Sequence, residues 1–157
     1  MKILVAYCTK TGSTEEVAKR IGAILAEKSH DVNVMPISSV LDPAGCDMLV
    51  LGAPINGMKV LPEFRSFIET RVAGRGIETN LFILSYVYPK GRTFWKNAVA
   101  KDVEQIRQLA GAKSAVIFGG KISERMPGLM NFAFGLSKSQ PLDLRDWSSI
   151  EAWAENL

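Results

Sequence analysis

The sequence predicts an α/β fold: a doubly wound, five-stranded parallel sheet of order 2-1-3-4-5, with helices on both faces. Three observations predict it. Short apolar runs recur along the chain, each ending at a glycine or a polar loop. Segments of helical periodicity separate them, so strands and helices alternate as in βαβ units. The length, 157 residues, matches one domain of about 150 residues.

The elements follow in order. Lys2 to Cys8 (KILVAYC) is a short apolar run and reads as a buried strand. A helix is expected from Thr14, with Val17, Ile21, Ile24 and Leu25 on one face. Thr14 is its expected N-cap, and Glu15 and Glu16 suit the positive end of the helix dipole. Val32 to Ile37 alternates like an edge strand, and Cys46 to Gly52 (CDMLVLG) is a second buried run. Pro62 opens a helix carrying Phe64, Phe67, Ile68 and Val72, stopped by Gly74 and Gly76. Asn80 to Ser85 is a third buried run. Trp95, Val99, Val103 and Ile106 mark a helix that ends before Gly111. Ser114 to Phe118 (SAVIF) is a fourth buried run. A last helix starts near Asp146 and carries Trp147, Ile150, Trp153, Ala154 and Leu157. Residues 1–157 are thus read as a single domain, with an insertion at 119–144 after the fifth strand.

Composition narrows the function classes. Lys plus Arg total 19 against 16 acidic residues, a net charge of +3, too small a bias to announce nucleic-acid binding. No apolar run approaches the roughly 18 residues of a membrane span. The apolar start stops at Cys8, too soon for a signal peptide, so a cytoplasmic protein is expected. Cys8 and Cys46 fall at opposite ends of parallel strands. They are expected on the order of 20 Å apart, beyond the roughly 7 Å that a disulfide bridges. With those two cysteines and one histidine, His30, no metal site is expected.

In a doubly wound fold, ligands sit beyond the carboxyl ends of the strands, where the strand order reverses, here between the first and third strands. The first strand leads there into Thr9-Lys10-Thr11-Gly12-Ser13-Thr14. Four hydroxyls can donate to phosphate oxygens, and Gly12 permits a tight turn. The following helix offers free N–H groups and a positive dipole end. Competing loops fail on sequence. There is no G-x-x-x-x-G-K-[ST] and no G-x-G-x-x-G after a strand. A C-x5-R phosphatase loop from Cys8 would need Arg where Thr14 stands.

The T-K-T-G-S-T stretch resembles the FMN phosphate loop of the flavodoxin family, whose members are the standard instance of FMN at this switch point. The resemblance covers nearly the whole chain in element order, and FMN is the cofactor it implies. It also implies two further flavin loops. Ala53-Pro54-Ile55-Asn56-Gly57-Met58 is similar to the second, where a peptide flip brings a carbonyl to the reduced ring. Asn56 and Gly57 suit it because both tolerate positive φ. Ser85-Tyr86-Val87-Tyr88 lies at the third, where Tyr86 or Tyr88 would stack on the ring.

Carrier flavodoxins are acidic, and this chain is basic. Within the family it looks most like the menaquinone-dependent protoporphyrinogen oxidase subfamily. That likeness rests on Gly52-Ala53-Pro54-Ile55 followed by Pro62-Glu63-Phe64-Arg65-Ser66-Phe67-Ile68, on the terminal Arg145-Asp146-Trp147 helix and on the insertion after the fifth strand, where that subfamily has a long loop. The resemblance implies a redox enzyme oxidising a porphyrinogen-type substrate with quinone as acceptor. The alternative is a small electron-transfer flavodoxin without its own substrate. Either needs a redox donor or acceptor as partner. In the insertion, Leu129, Phe132, Ala133 and Leu136 follow helical spacing, flanked by Lys121, Arg125 and Lys138. Residues 121–138 are therefore read as a peripheral membrane contact, a substrate cover, part of the core or a dimer face. No acid–base constellation stands out, so no catalytic residue is assigned. Glu63 and Glu69 read as helix surface, Cys8 as strand packing and His30 as a surface loop residue. A flavin carries the electron chemistry itself.

Overall fold

Strand β1 (Lys2–Tyr7) lies at the switch point, with β2 (Asp31–Pro36) on one side and β3 (Met48–Asn56) on the other. Beyond β3 come β5 (Glu78–Ser85) and β6 (Ser114–Gly119), all parallel. The computed structural model describes residues 1–157. Its sixth strand, β4 (Lys59–Val60), is a short antiparallel arm on the end of β3. With that arm set aside, the order β2-β1-β3-β5-β6 is the expected 2-1-3-4-5.

Adjacent strand residues point to opposite faces, and both faces are covered. Ile3, Val5, Val50 and Phe82 pack with α1 (Ser13–Glu27) and α5 (Trp147–Glu155). Leu4, Leu49, Leu51 and Ile83 pack with α2 (Pro62–Phe67) and α3 (Thr93–Ala110). That double burial is why the strands read as continuous apolar runs. A side chain at Gly52 would sit 2.0 Å from the Phe82 ring, so the glycine in β3 makes room for the aromatic in β5.

Several expectations need correction. The third strand does not stop at Gly52. It runs on through Ala53-Pro54-Ile55-Asn56, because Ile55 and Asn56 pair with Val60 and Lys59. The stretch expected as a flavin loop is therefore mostly strand, closed by a two-residue turn. Gly57 (φ 58°) and Met58 (φ 66°) occupy that turn, not Asn56 and Gly57. Two successive positive φ values are the type I′ pattern that matches strand twist. Thr14 is not the N-cap of α1. Gly12 caps it in the left-handed region (φ 91°), and Thr14 is the second helical residue. The helix from Pro62 changes to a π-helical turn over Ile68–Val72. The SAVIF strand is an edge strand, half-buried along most of its length. The apolar stripe 129–136 is not one helix either. The short helix α4 (Gly128–Phe134) ends at Gly135 (φ 73°), so Leu136 leaves the face that Leu129 and Phe132 share.

No helix is long and apolar enough to cross a membrane. Cys8 and Cys46 are both free thiols.

Candidate functional site at the carboxyl ends of the strands

The loop after β1 is built around Gly12. Its amide donates to Thr9 Oγ1 at 3.0 Å, and its carbonyl accepts the first helical bond, from Glu16 N at 3.1 Å. The amides of Ser13, Thr14 and Glu15 precede that bond and have no partner inside the helix. Thr9 thus shapes the loop with its own hydroxyl oxygen. Thr11 and Lys10 stand exposed on the turn, and Ser13 and Thr14 are buried. Thr14 Oγ1 is fully buried and has no hydrogen-bond partner. A buried hydroxyl without a partner costs about 1–3 kcal/mol, which makes Thr14 Oγ1 a candidate to meet a ligand oxygen.

Charge around this loop is arranged. Glu15 pairs with Lys19 at 2.6 Å, which holds its carboxyl below the usual range. Glu16 pairs with Arg145 at 2.8 Å. Both acids of the first turn are therefore neutralised beside the free amides. The Arg145 side chain is almost wholly buried (3 % exposed), grips Asp143 at 2.8 Å and donates to Ser13 O at 3.3 Å. Those bonds hold the Asp143 carboxyl low. The Arg145 guanidinium also lies 4.8 Å over the Trp147 ring.

A cleft of about 250 Å³ opens beside the loop. It brings together Lys10, Thr11 and Ser13 from the first loop with Pro54, Ile55 and Asn56 from the end of β3. Gly57 faces a separate groove of about 830 Å³ between the β3–β4 arm, α2 and α3. Thr9 faces another, of about 500 Å³, near Cys8 and Glu63. Ala53 is wholly buried. The third expected loop is turned away from the small cleft. Ser85 Oγ is buried and accepts from Tyr88 N at 3.1 Å, and Val87 is buried. Tyr86 donates its hydroxyl to Pro141 O at 2.7 Å. Tyr88 packs half-buried on the core, with Lys96 Nζ 5.8 Å from its ring centre.

The remaining wall of the cleft was missed from sequence. It is Lys121, Ile122, Ser123 and Glu124, the start of the insertion. The signal was Gly119-Gly120. A side chain at Gly119 would sit 1.9 Å from Leu144 O, and one at Gly120 2.9 Å from Tyr86 N. Only glycines let the insertion cross so close over the strand ends.

Cys8 is buried directly after β1. Burial, and then the charge of Glu63, push its thiol up to about 12. Its Sγ lies 3.6 Å from Glu63 Oε1, as donor.

Comparison with known proteins places this architecture. The family model of the flavodoxin domain matches residues 4–131. The curated flavodoxin of Clostridium beijerinckii is 35% identical over 80 residues, 46% of this chain and 58% of that protein. Among solved structures, a flavodoxin from the domain Archaea superposes with a TM-score of 0.59 at 17% identity, covering 99% of this chain and 95% of that one. Rubredoxin oxygen:oxidoreductase from Desulfovibrio gigas gives 0.64 at 12% identity, covering 98% of this chain but 34% of the larger protein. At these identities the structural likeness is one of fold. Flavodoxin domains bind FMN and transfer electrons. The matched span runs from β1 through the Thr9–Thr14 loop and all five parallel strands into α4, and the chain belongs to the flavodoxin domain family.

Proposed function

We propose that this chain binds FMN with its phosphate in the Thr9–Thr14 loop and exchanges electrons with a redox partner. The single observation that carries this reading is the buried, unpartnered Thr14 Oγ1 beside the free amides of α1. Thr11, Ser13 and Thr14 would donate hydroxyls, while the amides of Ser13, Thr14 and Glu15 would meet the phosphate along the helix dipole. Lys10 and Lys121 add positive charge at the cleft. Pro54, Ile55 and Asn56 would lie along the cofactor. Gly57 is the point at which a peptide can reorient without a side chain to oppose it. Tyr86 and Tyr88 are the candidates for the ring, although neither lines the small cleft. Bound FMN supplies one- and two-electron transfer, and the chain supplies binding, orientation and exclusion of water.

The test is FMN titration of the purified protein, read by flavin fluorescence. The expected result is a yellow protein with quenched flavin. A colourless preparation that takes up no FMN overturns the reading. Thr11→Asp with Thr14→Asp is expected to abolish binding through like-charge repulsion. Circular dichroism checks that this variant is folded, and unchanged affinity would show that the phosphate sits elsewhere.

A second reading is oxidation of a porphyrinogen-type substrate with quinone as acceptor. The insertion favours it, since Lys121–Glu124 form part of the cleft wall that a minimal carrier does not need. Anaerobic assay of the holoprotein with protoporphyrinogen and a menaquinone analogue separates the two. Turnover above the spontaneous background supports the enzyme, and none supports the carrier.

A further inference from the structure

Six large hydrophobic side chains stand exposed on this protein, and four of them share one region. Leu129 (80 % exposed), Met130 (44 %) and Phe132 (72 %) are on α4, and Phe94 (71 %) is on the first turn of α3. Helix α4 buries none of its seven residues. It is nevertheless fastened, and from one side. Trp95 Nε1 donates to Ala133 O at 2.9 Å. Arg92 N donates to Phe134 O at 2.8 Å, and an Arg92 guanidinium nitrogen donates to Phe132 O at 3.0 Å. Trp95 packs edge-on to Phe134 at 5.3 Å and to Phe94 at 5.0 Å. The apolar side chains are thus held outward by a fixed support.

Cations surround this knob. Arg92 lies 5.3 Å over the Phe132 ring. The Lys138 stem packs beside Gly128 at the start of α4. Lys90 precedes Gly91, whose backbone abuts Phe134. Arg125 donates to Lys138 O and Gln140 O. None of these four cations has an acidic partner, whereas the insertion's two carboxylates lie elsewhere, Asp143 on Arg145 and Glu124 in the cleft.

We propose that the face formed by Phe94, Leu129, Met130 and Phe132 docks on a bilayer surface carrying anionic headgroups. Leucine, methionine and phenylalanine side chains enter the boundary between headgroups and acyl chains, while Lys and Arg stay at the charged layer. The charge pattern selects this occupant over a second copy of the chain. A two-fold contact sets the same patch against itself, which would bring the two cationic collars together with no carboxylate between them. The protruding side chains also suit a soft lipid surface better than a rigid protein face, which would need a matching pocket.

Co-sedimentation with phosphatidylcholine vesicles, with and without phosphatidylglycerol, tests the proposal on the full chain. Binding is expected to the anionic vesicles, to weaken with added salt, and to be much weaker on the neutral ones. Leu129→Ser with Phe132→Ser removes exposed side chains and should leave the fold and FMN affinity intact while reducing vesicle binding by about tenfold or more. Lys90→Glu with Lys138→Glu should abolish the preference for anionic lipid. No vesicle binding overturns the proposal, as does binding that neither pair of substitutions alters. A concentration-dependent dimer that Phe132→Ser dissolves, without vesicle binding, would assign the face to a second copy and also overturn it. Vesicle binding is read without flavin, so its failure is distinct from failure of the FMN reading.

Discussion

Asp102 on α3 holds Arg65 on α2, with Oδ1 2.9 Å from an Arg65 guanidinium nitrogen. The other carboxylate oxygen accepts from Val60 N at 2.8 Å. One buried carboxylate therefore ties both helices of this face to the β4 arm. That arm carries the Gly57-Met58 turn, which lines the groove between the arm, α2 and α3.

Asp102→Ala is expected to lower stability by about 2–3 kcal/mol. It leaves the Val60 amide without a partner and a guanidinium about one-third exposed, and a hydrogen bond to a charged group is worth roughly 1.5–3 kcal/mol. Urea unfolding of the apoprotein measures this. A midpoint equal to wild type would show that the arm is held by β-pairing alone.

Thr14→Val should move stability and affinity in opposite directions. Valine has the shape of threonine without the orphan hydroxyl. The apoprotein is expected to gain about 1 kcal/mol, because a buried unpaired polar group is removed. FMN affinity is expected to fall by about tenfold or more, because a hydrogen bond to a charged group is lost. Denaturant melts of apoprotein and FMN titration read the two effects separately. Lower apoprotein stability would mean that Thr14 Oγ1 has a partner after all.

How much of this was legible in the sequence depends on what each residue touches. Strands β1, β3 and β5 were legible because both their faces are buried, so residues such as Leu49 and Val50 give an unbroken apolar run. The extension of β3 was not. Pro54 and Asn56 signal a strand end locally, and the pairing that overrides them involves two residues, Lys59 and Val60. The turn also places Met58 at positive φ, which sequence propensity does not favour. That Thr9–Thr14 forms a turn into α1 was legible from its glycine and hydroxyl residues. Which hydroxyl shapes the loop and which is left free depends on the cap at Gly12. Arg145 was legible as part of a terminal motif, but its grip on Glu16 spans most of the chain and has no local signature.

Stability is expected to fall as the pH rises above about 9. The Cys8 thiol is raised from an ordinary 9.0 to about 12, and the Tyr7 hydroxyl is raised above its ordinary 10.0, both chiefly by burial. Above pH 9 the unfolded chain releases protons that the folded chain keeps. The stabilisation is thus complete below the unfolded values and is lost as pH climbs towards the folded ones. Cys8→Ala should flatten the fall between pH 9 and about 12. Chemical melts across this range measure it. An unchanged slope would place the thiol in solvent.

Arg145→Met should weaken both the fold and the cofactor site. The guanidinium serves Asp143, Glu16 and Ser13 O together, and methionine keeps the stem but not the charge. The loss of stability is expected at about 1–3 kcal/mol, below that for a wholly buried ion pair, because Glu16 and Asp143 are about half exposed. Glu16 then stands as an unneutralised carboxylate on the first turn of α1, and FMN affinity is expected to fall several-fold through repulsion of the phosphate. Glu16→Gln in the Arg145→Met background removes that charge and should restore affinity but not stability. Arg145→Lys should recover part of the charge effect and little of the stability, since an ammonium cannot span Asp143, Glu16 and the Trp147 face at once. FMN titration at two salt concentrations, paired with urea melts, separates these effects. If Glu16→Gln restores nothing, Arg145 acts on the loop through Ser13 O and not through charge.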